Sequence, residues 1–148
     1  MTNDNTNTAA QALAEATAAS MFARDAATQA LGMEIIKMGP GYARMAMKVR
    51  PDMLNGHQTC HGGFIFALAD SAFAFACNSY NVNTVGAGCS IEYLAPGRAG
   101  DVLTAEAIEQ VRQGKTGIYD VAVTNQDGVR IALFRGKSHQ VKGEVIGS

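Results

Sequence analysis

The sequence predicts an α+β domain in which a long central helix is wrapped by a curved antiparallel β-sheet, with a second helix at the N-terminus. Three observations carry the prediction. Residues 64–77 form an apolar run interrupted only by Asp70 and Ser71, and it is too short for a bilayer span, which needs about 20 residues. A helix with apolar residues on every side belongs at the centre of a fold rather than on its surface. The chain after this run divides into strand-like stretches separated by turn-rich segments, and two more stretches precede it.

Taken in order, residues 1–9 are rich in Asn and Thr and predict a disordered tail, leaving 10–148 as a single domain. Residues 10–31 are rich in Ala, with Leu13, Met21 and Leu31 set among Glu15, Arg24, Asp25 and Gln29. That composition favours a helix, and Gly32 is a natural stop. Residues 33–38 read as a strand, Gly39-Pro40-Gly41 as a turn, and 42–50 as a second strand. Met45, Met47 and Val49 lie on one face of that strand, and Arg44, Ala46, Lys48 and Arg50 on the other. Together the two strands make a hairpin. Pro51 ends it, 51–60 is loop, and the apolar helix runs from His61 or Gly62 to Ser79. Strands follow at about 82–94, 101–112, 116–125 and 129–142, punctuated by turns at 95–101, 113–115 and 125–128. Five or six antiparallel strands curled around one apolar helix is the layout of the hotdog fold.

Composition narrows the function. A chain of 148 residues with 47% hydrophobic and 17% charged residues builds one core without staples. A formal charge of −1 supplies no basic field for nucleic acid or an anionic membrane. Cys60, Cys77 and Cys89 are odd in number and irregular in spacing, which argues against a disulfide framework and for thiols in a reducing compartment. The opening Met-Thr-Asn-Asp-Asn-Thr has no secretory pattern. The expectation is a cytoplasmic protein.

Asp70 is the first candidate for chemistry. A carboxylate in apolar surroundings is costly unless paired, and desolvation raises its pKa. It is either a general base or nucleophile, or an acid reaching an exposed end or a loop backbone. Cys60-His61-Gly62-Gly63 comes next. Two glycines at a helix start leave N–H groups bare, beside the positive end of the helix dipole, where a carbonyl oxygen can be received as charge develops. The same glycines also suit close packing alone. Asn55, in an Asn-Gly turn, is the third candidate, although turn formation by itself would account for it. His57 and His61 flank Cys60, but no further ligand cluster accompanies them, so no metal is expected. Cys60 and His61 are adjacent and do not face one another as a nucleophilic pair would.

A distance sharpens this picture. Gly62 and Asp70 are eight residues apart, hence about 12 Å along one straight helix. A nucleophile or its water must stand about 3 Å from the carbon whose oxygen Gly62 holds. Within one chain the two cannot serve one reaction centre. If both act, Gly62 of one subunit meets Asp70 of another across a two-fold axis, and the function requires a homodimer.

The stretch Asn-Gly-His-Gln-Thr-Cys-His-Gly-Gly-Phe-Ile-Phe-Ala-Leu-Ala-Asp (55–70) resembles the signature of hotdog-fold acyl-CoA thioesterases, specifically the PaaI type of bacterial phenylacetate degradation. The likeness extends through residues 24–36, 91–101, 114–121 and 132–139. It implies Asp70 as catalytic carboxylate, Asn55 orienting the water or reacting group, the Gly62 N–H polarising the thioester carbonyl, and His61 shaping that pocket. It also implies an aryl-acetyl-CoA substrate, no cofactor, and a tetramer built from dimers. Gly63 is expected at the substrate, and Arg135 and Lys137 are candidates for the coenzyme A phosphates. Some aryl-CoA thioesterases of this fold carry Glu at the acid position and Thr one turn later, where this chain has Asp70 and Ala74. Phe64, Phe66, Phe73, Phe75 and Tyr80 either line an aromatic pocket or fill the core. Two other functions fit the same fold: a non-catalytic acyl-CoA binding module, and a hydratase or dehydratase, which would pair a His with an acid on facing elements.

Overall fold

The computed structural model describes Thr2 to Gly147. Its elements are α1 (Thr2–Arg24), α2 (Ala26–Ala30), β1 (Glu34–Gly39), β2 (Tyr42–Lys48), a 3-10 turn (Pro51–Met53), α3 (Gly62–Cys77), β3 (Thr84–Tyr93), β4 (Val102–Gln113), β5 (Thr116–Thr124) and β6 (Arg130–Gln140). The strands form one antiparallel sheet in the order β1-β2-β4-β5-β6-β3. The chain leaves α3 and enters the sheet at its far edge, beside β6, so the sheet edges are β1 and β3.

Two expectations about the N-terminus are corrected. Residues 2–9, read as a tail, continue α1, because adding a residue to an existing Ala-rich helix needs no new nucleation; Met1, the remainder of that expected tail, lies outside the described residues, as does Ser148. The single helix over 10–31 is two helices. The Asp25 carboxylate accepts the Thr28 N–H at 3.0 Å and caps α2, ending the first helix to begin the second. Gly32 follows at φ +68°, where a side chain would be strained.

The hairpin stands as expected, with Met45, Met47 and Val49 buried and Arg44 and Lys48 exposed. Those methionines meet Leu103 and Ala105 of β4, Val121 and Val123 of β5, and Leu68, Ala72 and Phe75 of α3 in one core. The helix presses closely onto β6 and β3 because glycine replaces side chains there. A Cβ at Gly136 would stand 2.8 Å from Phe73 ring carbons, and one at Gly86 would stand 3.3 Å away.

Within one chain the helix is not covered on every side. Ile65, Leu68, Ala69, Ala72, Phe73, Phe75 and Ala76 are buried. Gly63 is exposed, and Ala67, Asp70, Ser71 and Ala74 are only half-buried. These positions recur at three- and four-residue spacing, so they form one stripe. The sheet wraps the rest of the helix and leaves that stripe open.

Candidate active site

The approach to α3 is built from backbone hydrogen bonds. The His61 N–H donates to the Met53 carbonyl at 2.8 Å, Cys60 to Gly97 at 2.7 Å, and Asn55 to Thr59 at 2.8 Å. Asn55 Oδ1 accepts the His57 N–H at 2.9 Å and the Thr59 N–H and hydroxyl, both at 3.2 Å. The turn reading of Asn55 is therefore sound as far as its oxygen goes. The same bonds fix the amide's orientation, and Nδ2 is left with no acceptor among the described residues. Asn55 presents a donor to its surroundings.

At the helix start, His61 is the N-cap. Its Nδ1 accepts the Gly63 N–H at 3.0 Å, so the neutral ring carries its proton on Nε2. The Gly63 N–H is thereby taken. The Gly62 N–H has no acceptor among the described residues, as expected for a first-turn donor. It borders a cleft of about 430 Å³ lined by Thr59, Cys60, Ile65, Tyr93 and Leu94. Tyr93 was not anticipated from the sequence, where an aromatic residue near a strand end carries no distinguishing signal. Its hydroxyl donates to the Gly62 carbonyl at 2.9 Å.

Asp70 sits two turns further along α3. It is half-buried and has no hydrogen-bond or ion-pair partner within the chain among the described residues. Burial pushes its carboxyl above the ordinary carboxylate value. Cys89 is exposed, pairs with Gly136 and so shares the helix-facing side of the sheet. Its thiol is pushed up by burial first and by the Asp70 charge second. Cys77 is buried and pushed up to about 12, chiefly by burial. Cys60 is 4% exposed and its thiol is likewise raised by burial, so it is no ready nucleophile.

Gly62 and Asp70 lie on one unbroken helix, so their separation of about 12 Å along the axis stands. Arg135 and Lys137 are not brought to this region. Gly136 faces Phe73, so its two neighbours point from the opposite face of the sheet. Arg135 donates twice to Asp120, at 2.6 and 2.8 Å, and holds that carboxyl below its usual range. A groove of about 360 Å³ on that outer face includes this ion pair. It contains no counterpart to the unpaired acid of α3. Phe73 and Phe75 are core residues, Phe64 and Phe66 are partly buried, and Tyr80 is bound at 3.1 Å to Glu109 beyond the other end of α3. Among the described residues no three His, Cys, Asp or Glu side chains converge as a metal site. No helix is long and apolar enough to cross a membrane among those residues.

Comparison with known proteins gives a consistent family. Residues 57–132 match the model of the thioesterase superfamily. The chain is 54% identical over 129 residues to acyl-coenzyme A thioesterase PaaI of Escherichia coli strain K12, covering 86% of this chain and 91% of that protein. The structure of the E. coli PaaI protein from the phenylacetic acid degradation operon superimposes with a TM-score of 0.90 at 48% identity, covering 90% of this chain and 97% of the other. A hypothetical thioesterase protein with coenzyme A from Streptococcus pneumoniae TIGR4 superimposes with a TM-score of 0.73 at 29% identity, covering 76% and 88%.

Proposed function

The chain belongs to the thioesterase superfamily, and from that premise we propose that it hydrolyses phenylacetyl-CoA, or its ring-hydroxylated forms, to the free acid and coenzyme A. It is a thioester hydrolase of hotdog fold, similar over most of its length to a PaaI acyl-CoA thioesterase. The observation that carries the mechanism is the half-buried Asp70, without a partner among the described residues, on a helix apolar but for it and Ser71. A carboxylate that accepts no protein donor and has a raised pKa is a stronger base toward a water or thioester than a solvated one.

Two chains pair with α3 antiparallel across a two-fold axis, which covers the open stripe and brings Asp70 of one chain toward Gly62 of the partner subunit. Dimers of this kind associate into a tetramer. The thioester carbonyl accepts the Gly62 N–H, with Asn55 Nδ2 as a further donor. Asp70 takes a proton from water as the water oxygen bonds to the carbonyl carbon, or its own oxygen attacks that carbon, in which case loss of the thiolate leaves a mixed anhydride that water opens in a later step. The resulting oxyanion is held by those donors. Its collapse breaks the C–S bond, and the thiolate leaves without needing a metal. His61 shapes the wall by keeping Gly63 capped. The coenzyme A arm runs outward to the surface. Arg135 and Lys137 remain the basic residues proposed to meet its phosphates, Arg135 by exchanging the Asp120 carboxylate for a phosphate. The compartment proposed is the cytoplasm, which suits three free thiols.

A panel of acetyl-, phenylacetyl-, hydroxyphenylacetyl- and crotonyl-CoA, followed by release of free thiol, tests the reading. The aryl-acetyl esters should turn over with the highest kcat/KM. Binding without thiol release would identify a binding module, and hydration of the crotonyl double bond without thiol release would identify a hydratase.

The raised Asp70 pKa sets a pH dependence. The base must be ionised, so kcat should climb with pH and level off only above an apparent pKa higher than the ordinary carboxylate value of about 4. A pH–rate profile measured in the folded range checks this, and an acid limb at or below that value would count against Asp70 as the base.

A further inference from the structure

We infer that Tyr93 is a positioning residue for the carbonyl-binding N–H of Gly62. The inference rests on the hydrolase reading above and adds to it a side chain from a different element. Gly62 and Gly63 open α3 where the helix supplies no acceptor for its own first N–H groups. Two consecutive glycines are also the most freely rotating backbone available. A donor at such a place is useful in catalysis only if its direction is fixed before the substrate arrives.

The peptide joining the two glycines is held at both ends. Its N–H, on Gly63, donates to His61 Nδ1 at 3.0 Å. Its carbonyl, on Gly62, accepts from the Tyr93 hydroxyl at 2.9 Å. The Tyr93 ring also lies against the Gly62 Cα, since a Cβ built there would stand 3.1 Å from the ring and 3.2 Å from its hydroxyl oxygen. Rotation about the Gly62 backbone is thus opposed by a bond on one side and a ring on the other. The N–H left without an acceptor among the described residues belongs to Gly62, which lines the cleft that Tyr93 itself walls.

Tyr93 reaches this place through the sheet. It pairs with Ala132 at the end of the β3–β6 ladder, and the next residue, Leu94, donates to the Ile131 carbonyl at 2.8 Å. The rigid edge of the sheet is thereby coupled to the first turn of the helix. Tyr93 keeps 51% of its surface exposed, so removing its hydroxyl takes nothing from the core.

The test is Tyr93→Phe, which keeps the ring and deletes the donor, read in two ways. In thiol release from phenylacetyl-CoA, kcat should fall about tenfold with KM changed by less than about twofold, a smaller loss than the hundredfold or more for deleting an oxyanion donor outright. The melting temperature should move by no more than about 3 °C. In the nitrogen-15-labelled protein, the amide resonances of Gly62 and Gly63 should shift, and the Gly63 proton, which is hydrogen-bonded to His61, should exchange faster with solvent. A kcat within twofold of the parent, or a loss carried by KM alone, overturns the inference while leaving the hydrolase reading intact. Should the parent protein release no thiol, the hydrolase reading falls, and the resonances alone decide whether Tyr93 holds this peptide. Unmoved glycine resonances overturn it in either case.

Discussion

Asp70→Asn lowers turnover by about two to four orders of magnitude, the range for losing a positioned acid–base group. The substitution preserves shape and removes only the capacity to ionise, and no protein donor is lost with it because none among the described residues binds the carboxylate. The same change should raise the melting temperature at neutral pH. The sign follows from the direction of the shift. A folded-state pKa above the unfolded value means the unfolded chain releases its proton first as pH rises. Stability therefore falls through that window, and at neutral pH the ionised Asp70 is a net cost that Asn relieves. A variant that is folded, more heat-resistant and nearly inactive is the expected outcome, in line with the tension between activity and stability at functional sites. Near-normal turnover in a folded Asp70→Asn protein would remove the carboxylate from the mechanism.

Mixing two inactive variants should restore activity. One carries Asp70→Asn and the other Gly62→Pro, which deletes the N–H at a helix position that tolerates proline. The nearest neighbour of a Cβ at residue 62 is the exposed Tyr93 ring, at 3.1 Å. In a heterodimer, one site collects both defects and the other collects neither. With random exchange, half the dimers are mixed and each has one working site of two, so turnover should recover to about a quarter of the parent value. Native mass spectrometry verifies that mixed dimers form. If verified heterodimers stay silent, each site lies within one chain, and the separation of about 12 Å along α3 must be bridged by some other means.

The parts of the fold that were legible in the sequence are those governed by one periodicity. The β1–β2 hairpin follows from alternation at Met45, Met47 and Val49, and α3 from an apolar run bracketed by Gly62 and Asn78. What escaped depends on partners far along the chain or on local competition. The break at Asp25 arises because its carboxylate binds the Thr28 N–H in preference to a continuous helix. The open stripe of α3 was invisible because an apolar helix reads alike whether its cover comes from its own chain or another. At the site, residue types pointed to Asp70, Asn55 and Gly62. Residue types alone treat the Gly62 and Gly63 N–H groups alike; the family resemblance named Gly62, and what separates the two physically is the rotamer of His61, which occupies the Gly63 N–H. Arg135 looked free until the β5–β6 register set it opposite Asp120, fifteen residues earlier in the chain.

The close seat of Phe73 bears on how the acid is aimed. Its ring lies where Gly136 and Gly86 have no side chains, and it touches Phe134 and Tyr119 on either flank, with centroids at 5.8 and 5.6 Å. A cylinder packed on a sheet through aliphatic groups alone can roll about its long axis at small cost. This one works as a keyed shaft, because each residue of roll turns it by about 100° and would drive the ring into the strand backbone. Asp70, three residues before the key, inherits its compass bearing from that slot. Enlarging Gly136 would therefore misdirect the carboxylate without touching it.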